Sequence, residues 1–391
     1  MIYCTKLKKG EVMFMKICIF SANYLPNTGG VERYTYYTAR ELINRGHSVT
    51  LVTSNVFNLP THEIKDGLEI YRYGCYNLLN GRYPVLKYNK SQKSIDSQLI
   101  KNNYDLVVVN TRFYIHSLHA VKLAYKNGIK CVCIEHGTTH LTVNNKLIDT
   151  IGAGFEHILT AFDKRYCKDY YGVSKAACEW SGHFGIKSKG VLYNAVDVDE
   201  IETMLQTPVV SYRKELEIDK NACIITYTGR LIPEKGLMQL VKAFSKLSYP
   251  NKALIIAGDG PLYEQIKNTD TKGVYLLGKI DFEHIVSLLK ETDVFCLPSR
   301  SEGFSTAVLE AVATKCYIIT TKTGGTKELI SSDEYGTLLD NNDTEKVYEA
   351  LKNTMDNPKM RQNTCENAYQ KLLDNFTWKK TVDKIIKIIK E

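Results

Sequence analysis

Residues 299–310 read SRSEGFSTAVLE and hold two carboxylates, Glu302 and Glu310, with seven residues between them. Glu302 falls in a loop after an apolar run, and Glu310 falls inside the helix that follows. At ~1.5 Å of rise per helical residue the two lie roughly 10–12 Å apart along the element. That is too far for a carboxylate pair sharing one glycosidic bond. It suits one carboxylate gripping a sugar ring and the other a ribose, because each can accept from two vicinal hydroxyls. Upstream, residues 228–236 read TGRLIPEKG and set Arg230 and Lys235 five positions apart in a tight loop that opens a helix. Two fixed cations and free helix N–H groups make a diphosphate site. They would stabilise charge gathering on a departing diphosphate, a task a metal ion performs elsewhere. A surface ion pair with Glu234 is the plainer alternative.

Two more loops carry candidate chemistry. Gly29 and Gly30 follow the first apolar run and open a helix, so the backbone can approach a ligand and aim N–H groups at an anion. Gly-Gly is equally an ordinary strand-to-helix turn. His136, in the run EHGT at 135–138, stands at a strand end over a crevice rather than inside a core. Two patterns are decoys. Asp197-Val198-Asp199 imitates a metal-binding Asp-x-Asp but reads as a turn and helix cap. Gly258-Asp259-Gly260-Pro261 is half of a dinucleotide fingerprint, and Pro261 with the missing third Gly argues against NAD.

The elements that must position these loops alternate short apolar runs with longer amphipathic stretches, as βαβ units do. Strands are predicted at 16–21, 48–53, 68–73, 106–110, 130–135, 170–173 and 191–193. Helices are predicted at 31–44, 91–101, 115–126, 147–162 and 175–184. The pattern restarts with strands at 224–228, 253–257, 274–277, 294–297 and 317–321. Near-continuous apolar strands suit sheets covered on both faces. A polar, acidic stretch at 197–220 separates the halves, and 378–390 reads as an amphipathic helix.

At 391 residues the chain is too long for one ordinary core. Its 44% apolar and 24% charged residues exclude disorder, and its net charge of +8 favours acidic partners such as phosphates or an anionic membrane surface. Lys-rich composition alone is the plainer explanation of that charge. The 11 cysteines are scattered, with no CxxC pair and no zinc spacing, and read as buried free thiols in a reducing compartment. No stretch reaches the ~18 apolar residues of a membrane span. Residues 1–14 read as an appendage, with a natural start expected at Met13 or Met15.

Taken together, the motifs resemble glycosyltransferase family 4, the retaining "glycosyl transferases group 1" enzymes. The matching pieces are MKICIFSANYLPNTGGVERY, YGVSKAACEW, VLYNAVD, YTGRLIPEKG, IIAGDGP, SRSEGFSTAVLEAVA and TTKTGG, from about Met15 to the C-terminus. The resemblance implies an α/β GT-B architecture: two Rossmann-like, doubly wound parallel-sheet domains facing a central cleft. Residues 15–196 would form the acceptor domain and 197–375 the nucleotide-sugar domain. Residues 376–391 would be a helix closing the second domain or crossing back to the first.

By the same resemblance Arg230 and Lys235 hold the donor diphosphate, Glu310 the ribose and Glu302 the hexose hydroxyls. Gly29 and Gly30 line the diphosphate and reacting centre, and His136 contacts the transferred sugar. Gly260, Ser305, Thr306 and Ala307 lie near nucleotide and phosphates. The family often has Asn-Gly-Val-Asp where this chain has Asn194-Ala195-Val196-Asp197, a change that should only stiffen the turn.

The implied activity is metal-independent, retaining transfer of a hexose from a nucleotide sugar, with UDP the family expectation and no cofactor. The acceptor would be a glycan or lipid-linked glycan for a surface polysaccharide, met by Tyr76, Tyr83, Lys87 and Tyr88. The protein would then be cytoplasmic, touching the anionic inner membrane face, with no nucleic-acid partner. An epimerase of the same fold and a catalytically inactive partner subunit are the alternatives.

Overall fold

The structure is a computed structural model that describes residues 14–27, 29–142, 145–269 and 271–391. The expected appendage, residues 1–14, lies outside these except for Phe14. The chain divides into two compact units: one of residues up to Ile134 with Gly154–Asp169 and Ile386–Glu391, the other of Glu135–Ala153 and Tyr170–Ile385.

In the first unit strand Lys16–Ser21 lies between Ser48–Ser54 and Leu106–Asn110, parallel to both. Leu68–Tyr73 continues the sheet in parallel beyond Ser48–Ser54, and Cys131–Glu135 does so beyond Leu106–Asn110. The apolar runs predicted this arrangement, since Ile17, Ile19, Leu51, Val108 and Val109 are all fully buried. Helix Gly30–Asn44 crosses from the first strand to the second, burying Tyr34, Ala39 and Leu42. From Leu68–Tyr73 the chain must pass back to the other side of Lys16–Ser21. That reversal opens a crevice between the C-terminal ends of Lys16–Ser21 and Leu106–Asn110, where Ser21 faces Asn110 in register.

The second unit repeats the design in an all-parallel, six-stranded sheet. Cys223–Thr228 sits between Lys252–Ala257 and Val294–Leu297, flanked by Val274–Gly278 on one side and Tyr317–Thr321 with Thr337–Leu339 on the other. Its reversal point lies between Cys223–Thr228 and Val294–Leu297, the two strands that lead into the Arg230–Lys235 and Glu302 loops.

Some strands were not predicted. His62–Lys65 pairs antiparallel with Leu68–Tyr73 through Asp66 and Gly67, both at positive φ (50° and 77°) as a type I′ turn requires. A hairpin joins Cys75–Leu78 to Tyr83–Leu86, and Thr337–Leu339 closes the second sheet. The described cysteines are free, and burial raises several thiol pKa values, as at Cys133 and Cys296. No described helix is long and apolar enough to cross a membrane.

Helix Lys146–Tyr166 has inverted polarity. It buries Glu156, Thr160 and Asp163 beside Leu159, and it exposes Leu147, Ile148, Ile151, Phe155, Ile158 and Phe162. The inward carboxylates are explained by Arg112, which is 1% exposed and ion-paired with Glu156. Burial pulls the guanidinium pKa below its usual value and the Glu156 charge opposes that pull. Breaking such a pair strands a buried charge, at a cost of about 3–5 kcal/mol. Arg112→Met is therefore expected to lower unfolding stability by about that amount in urea titration, and Glu156→Gln added to it should recover part of the loss.

Candidate functional site

At the reversal point of the second unit, Lys235 Nζ lies 2.5 Å from Glu302 Oε1, with side chains 17% and 10% exposed. Ser299 Oγ donates to the same carboxylate oxygen at 2.8 Å. Lys235 thus pairs with Glu302 rather than with its neighbour Glu234. The other cation, Arg230, is exposed, and its carbonyl accepts from Tyr227 Oη at 2.8 Å. At the end of strand Cys223–Thr228, Thr228 Oγ1 is buried, with no hydrogen-bond partner among the described residues.

The Glu302 loop is held by its backbone. Glu302 O accepts from Thr138 Oγ1 at 2.9 Å. Gly303 O accepts from Ser174 Oγ at 3.1 Å and from Gly325 N at 2.8 Å. Phe304 O accepts from Asn194 Nδ2 at 3.0 Å, and the same amide reaches Thr306 Oγ1 at 3.1 Å. Three consecutive carbonyls are thus fixed by three side chains distant in sequence. The fit admits nothing larger than glycine at 303, because a Cβ there would lie 2.2 Å from His136 O. That contact places the predicted His136 against the Glu302 loop. Burial pushes the His136 imidazole down to about 3, so it is neutral at physiological pH.

Ser305 is the residue preceding helix Thr306–Ala313, without a side-chain capping bond, and Ala307 is half-buried in its first turn. Glu310 follows in the same helix and is buried at 4% exposure. Gly260 packs on the Arg230 loop: at φ 153° its Cβ would lie 2.6 Å from Leu231 O. Its glycine character therefore follows from backbone packing.

In the first unit, Gly29 precedes helix Gly30–Asn44 as expected, but the space beside it is occupied from within. The Glu32 carboxylate accepts from Asn27 Nδ2 at 3.1 Å and from the Gly29 N–H, and burial raises its pKa. The helix terminus expected to receive a ligand anion thus faces a carboxylate of its own.

The four acceptor candidates share the segment of the hairpin without forming one cluster. Lys87 Nζ stands over the Tyr76 ring at 4.5 Å, and Tyr76 is 60% exposed. Tyr88 is exposed with its edge toward His119, at 5.8 Å between ring centroids. Tyr83 instead serves the fold: its hydroxyl donates to Phe113 O at 2.7 Å and its ring stacks on Tyr114.

Sequence reasoning missed Ser174, Asn194 and Thr138 as positioning residues. Ser174 and Asn194 lie in the runs YGVSKAACEW and VLYNAVD, where the signal was present but its partner was not. Ser174 also accepts from Ala177 N as a helix cap, at 3.0 Å, the role its spacing does announce.

Two family models match the chain: Glycosyltransferase Family 4 over residues 28–200 and Glycosyl transferases group 1 over residues 210–371. An uncharacterized glycosyltransferase of Methanocaldococcus jannaschii is 25% identical over 390 residues, covering 96% of this chain and 98% of that protein. The UDP-Gal:alpha-D-GlcNAc-diphosphoundecaprenol alpha-1,3-galactosyltransferase of Escherichia coli is 26% identical, covering 95% and 96%. Among solved structures, Anabaena HepE in complex with UDP-glucose superposes with a TM-score of 0.72 at 16% identity, covering 96% of this chain and 99% of that one.

Asn194 is 6% exposed and holds two atoms of the Glu302 loop. Asn194→Ala is expected to leave a buried carbonyl unsatisfied and to lower stability by about 1–3 kcal/mol in denaturant unfolding.

Proposed function

Because this chain belongs to the family 4 glycosyltransferases and has their GT-B fold, we propose that it moves a hexose from UDP to a lipid-linked glycan, with retention of configuration and without a metal ion. Residues 197–375 would serve the donor and 15–196 the acceptor, on the cytoplasmic face of a membrane. The observation that carries the reading is the Lys235–Glu302 pair at a strand-end reversal point. It sets a cation for phosphate and an acceptor of hydroxyl hydrogen bonds side by side.

On this reading the donor diphosphate draws Lys235 and Arg230, and the released Glu302 carboxylate takes the hexose hydroxyls. Glu310 holds the ribose from the buried helix face. The two cations supply the charge that stabilises the departing UDP, which is why no metal is needed. Ser305, Thr306 and Ala307 present the start of a helix to the phosphates. Neutral His136 contacts the sugar as a hydrogen-bonding group, with Gly29 and Gly30 lining the reacting centre. The UDP donor is supported by the UDP-glucose complex of the HepE neighbour, and the lipid-linked acceptor by the name of the E. coli relative.

The test is a panel of UDP-, GDP- and ADP-sugars, scored for binding and for slow hydrolysis with EDTA present. One UDP-hexose is expected to bind and hydrolyse unaffected by EDTA, with turnover lowered about 10²–10³-fold by Lys235→Ala or Glu310→Ala. Loss of activity in EDTA contradicts the metal-free mechanism. No binding by any sugar nucleotide supports an inactive partner subunit instead.

A further inference from the structure

The sheet of the first unit ends in an exposed edge. Strand His62–Lys65 is the last in the strand order and pairs on one side only, with Leu68–Tyr73. Thr61, His62, Ile64, Lys65 and Asp66 are all exposed, Ile64 at 70%. Arg72 N donates to Thr61 O at 2.8 Å, so by alternation Thr61, Glu63 and Lys65 turn their peptide groups inward along the ladder. The N–H and C=O of Ile64 then point away from the sheet. A bare edge of this kind is a template for a further strand.

The side chains alternate as well. Glu63 and Lys65 share a face with Leu68 and Ile70, whereas His62 and Ile64 share the other with Glu69 and Tyr71. Arg72 holds Glu63 Oε1 from within the sheet. On their face, Glu63, Lys65 and Asp66 border a groove of about 750 Å³ shared with Tyr36, Arg40 and Ile43. That groove leaves Glu63 and Lys65 room to meet charges on a strand laid alongside.

Charge selects both the occupant and the register. The run His62-Glu63-Ile64-Lys65-Asp66 is self-complementary about Ile64: reversed, it sets Lys65 against Glu63 and Asp66 against His62. A second copy laid antiparallel with Ile64 opposite Ile64 therefore puts each Glu63 beside the partner's Lys65. A shift of one residue sets Glu63 against Asp66 or His62 against Lys65. It also faces the outward groups of Ile64 with a residue whose own groups point inward. A shift of two sets Glu63 or Lys65 against itself. Charges on an edge strand ordinarily block pairing. Here they disfavour each of these slipped registers and admit the central one.

We propose that the chain forms a two-fold dimer through strand His62–Lys65, joining the sheets of two copies edge to edge. The two Ile64 residues exchange N–H···O=C bonds at the axis, and their exposed side chains meet across it. Glu63 and Lys65 occupy the flanking positions, where opposed side chains stand closest. The contact uses the same patch on both copies, so it closes at two and does not propagate into a fibre.

The test is sedimentation equilibrium of the full chain at low salt, up to about 0.1 mM. The wild type is expected to dimerise and to dissociate as salt rises. Ile64→Pro removes the outward N–H while sparing the inward ladder, and should weaken the dimer at least about tenfold. Lys65→Glu opposes two carboxylates and should weaken it comparably, whereas Lys65→Arg should dimerise like the wild type. Circular dichroism checks that each variant is folded, and Lys65→Glu decides the matter if Ile64→Pro is not. A wild type that stays monomeric over the whole range overturns the proposal. So does a dimer that either folded variant leaves at wild-type strength, which puts the interface elsewhere.

Discussion

The contact between Lys235 Nζ and Glu302 Oε1 organises the second unit's site. Both side chains are largely removed from water, so neither charge is tolerable without the other or a replacement. On the proposed reading the pair is a placeholder: a phosphate would replace the carboxylate at Lys235, sugar hydroxyls would replace the ammonium at Glu302, and a nucleotide sugar would thereby exchange the interaction that holds the unliganded site.

The scaffold serves that pair by fixing backbone rather than side chains. The carbonyls of Glu302, Gly303 and Phe304 are each claimed by a separate side chain, and Gly303 lets the His136 strand end approach closely. A loop constrained at three consecutive peptides can aim a carboxylate while remaining outside regular structure. The reversal in strand order explains why this happens there. Between Cys223–Thr228 and Val294–Leu297 the strand order of the second sheet reverses, so the connecting segments diverge there.

Much of this was legible in the sequence because the physics is local. Unbroken apolar runs announced parallel strands, and the runs TGRLIPEKG and SRSEG announced the two loops whose Lys235 and Glu302 meet. The strand His62–Lys65 was missed because its polar residues do not read as a strand, although Asp66-Gly67 is a hairpin turn signal. What could not be read was pairing at a distance. Nothing near Asn194 says that it reaches Phe304, 110 positions on. Nor does the run around Phe155 say which face lies inward, because the answer depends on Arg112, 44 residues away from Glu156. Periodicity finds an amphipathic helix; it takes the buried cation to show that its charged face is the inner one.

The most direct test of the exchange is calorimetric titration of Glu302→Gln with UDP and with the UDP-hexose, alongside sugar-nucleotide turnover. Freed from its carboxylate, Lys235 should bind UDP at least as tightly as in the wild type. The UDP-hexose should lose its advantage over UDP, with turnover falling about 10²-fold or more. If UDP affinity instead collapses together with that of the UDP-hexose, Glu302 is a structural partner of Lys235. The pair would then not be the place where the sugar is held.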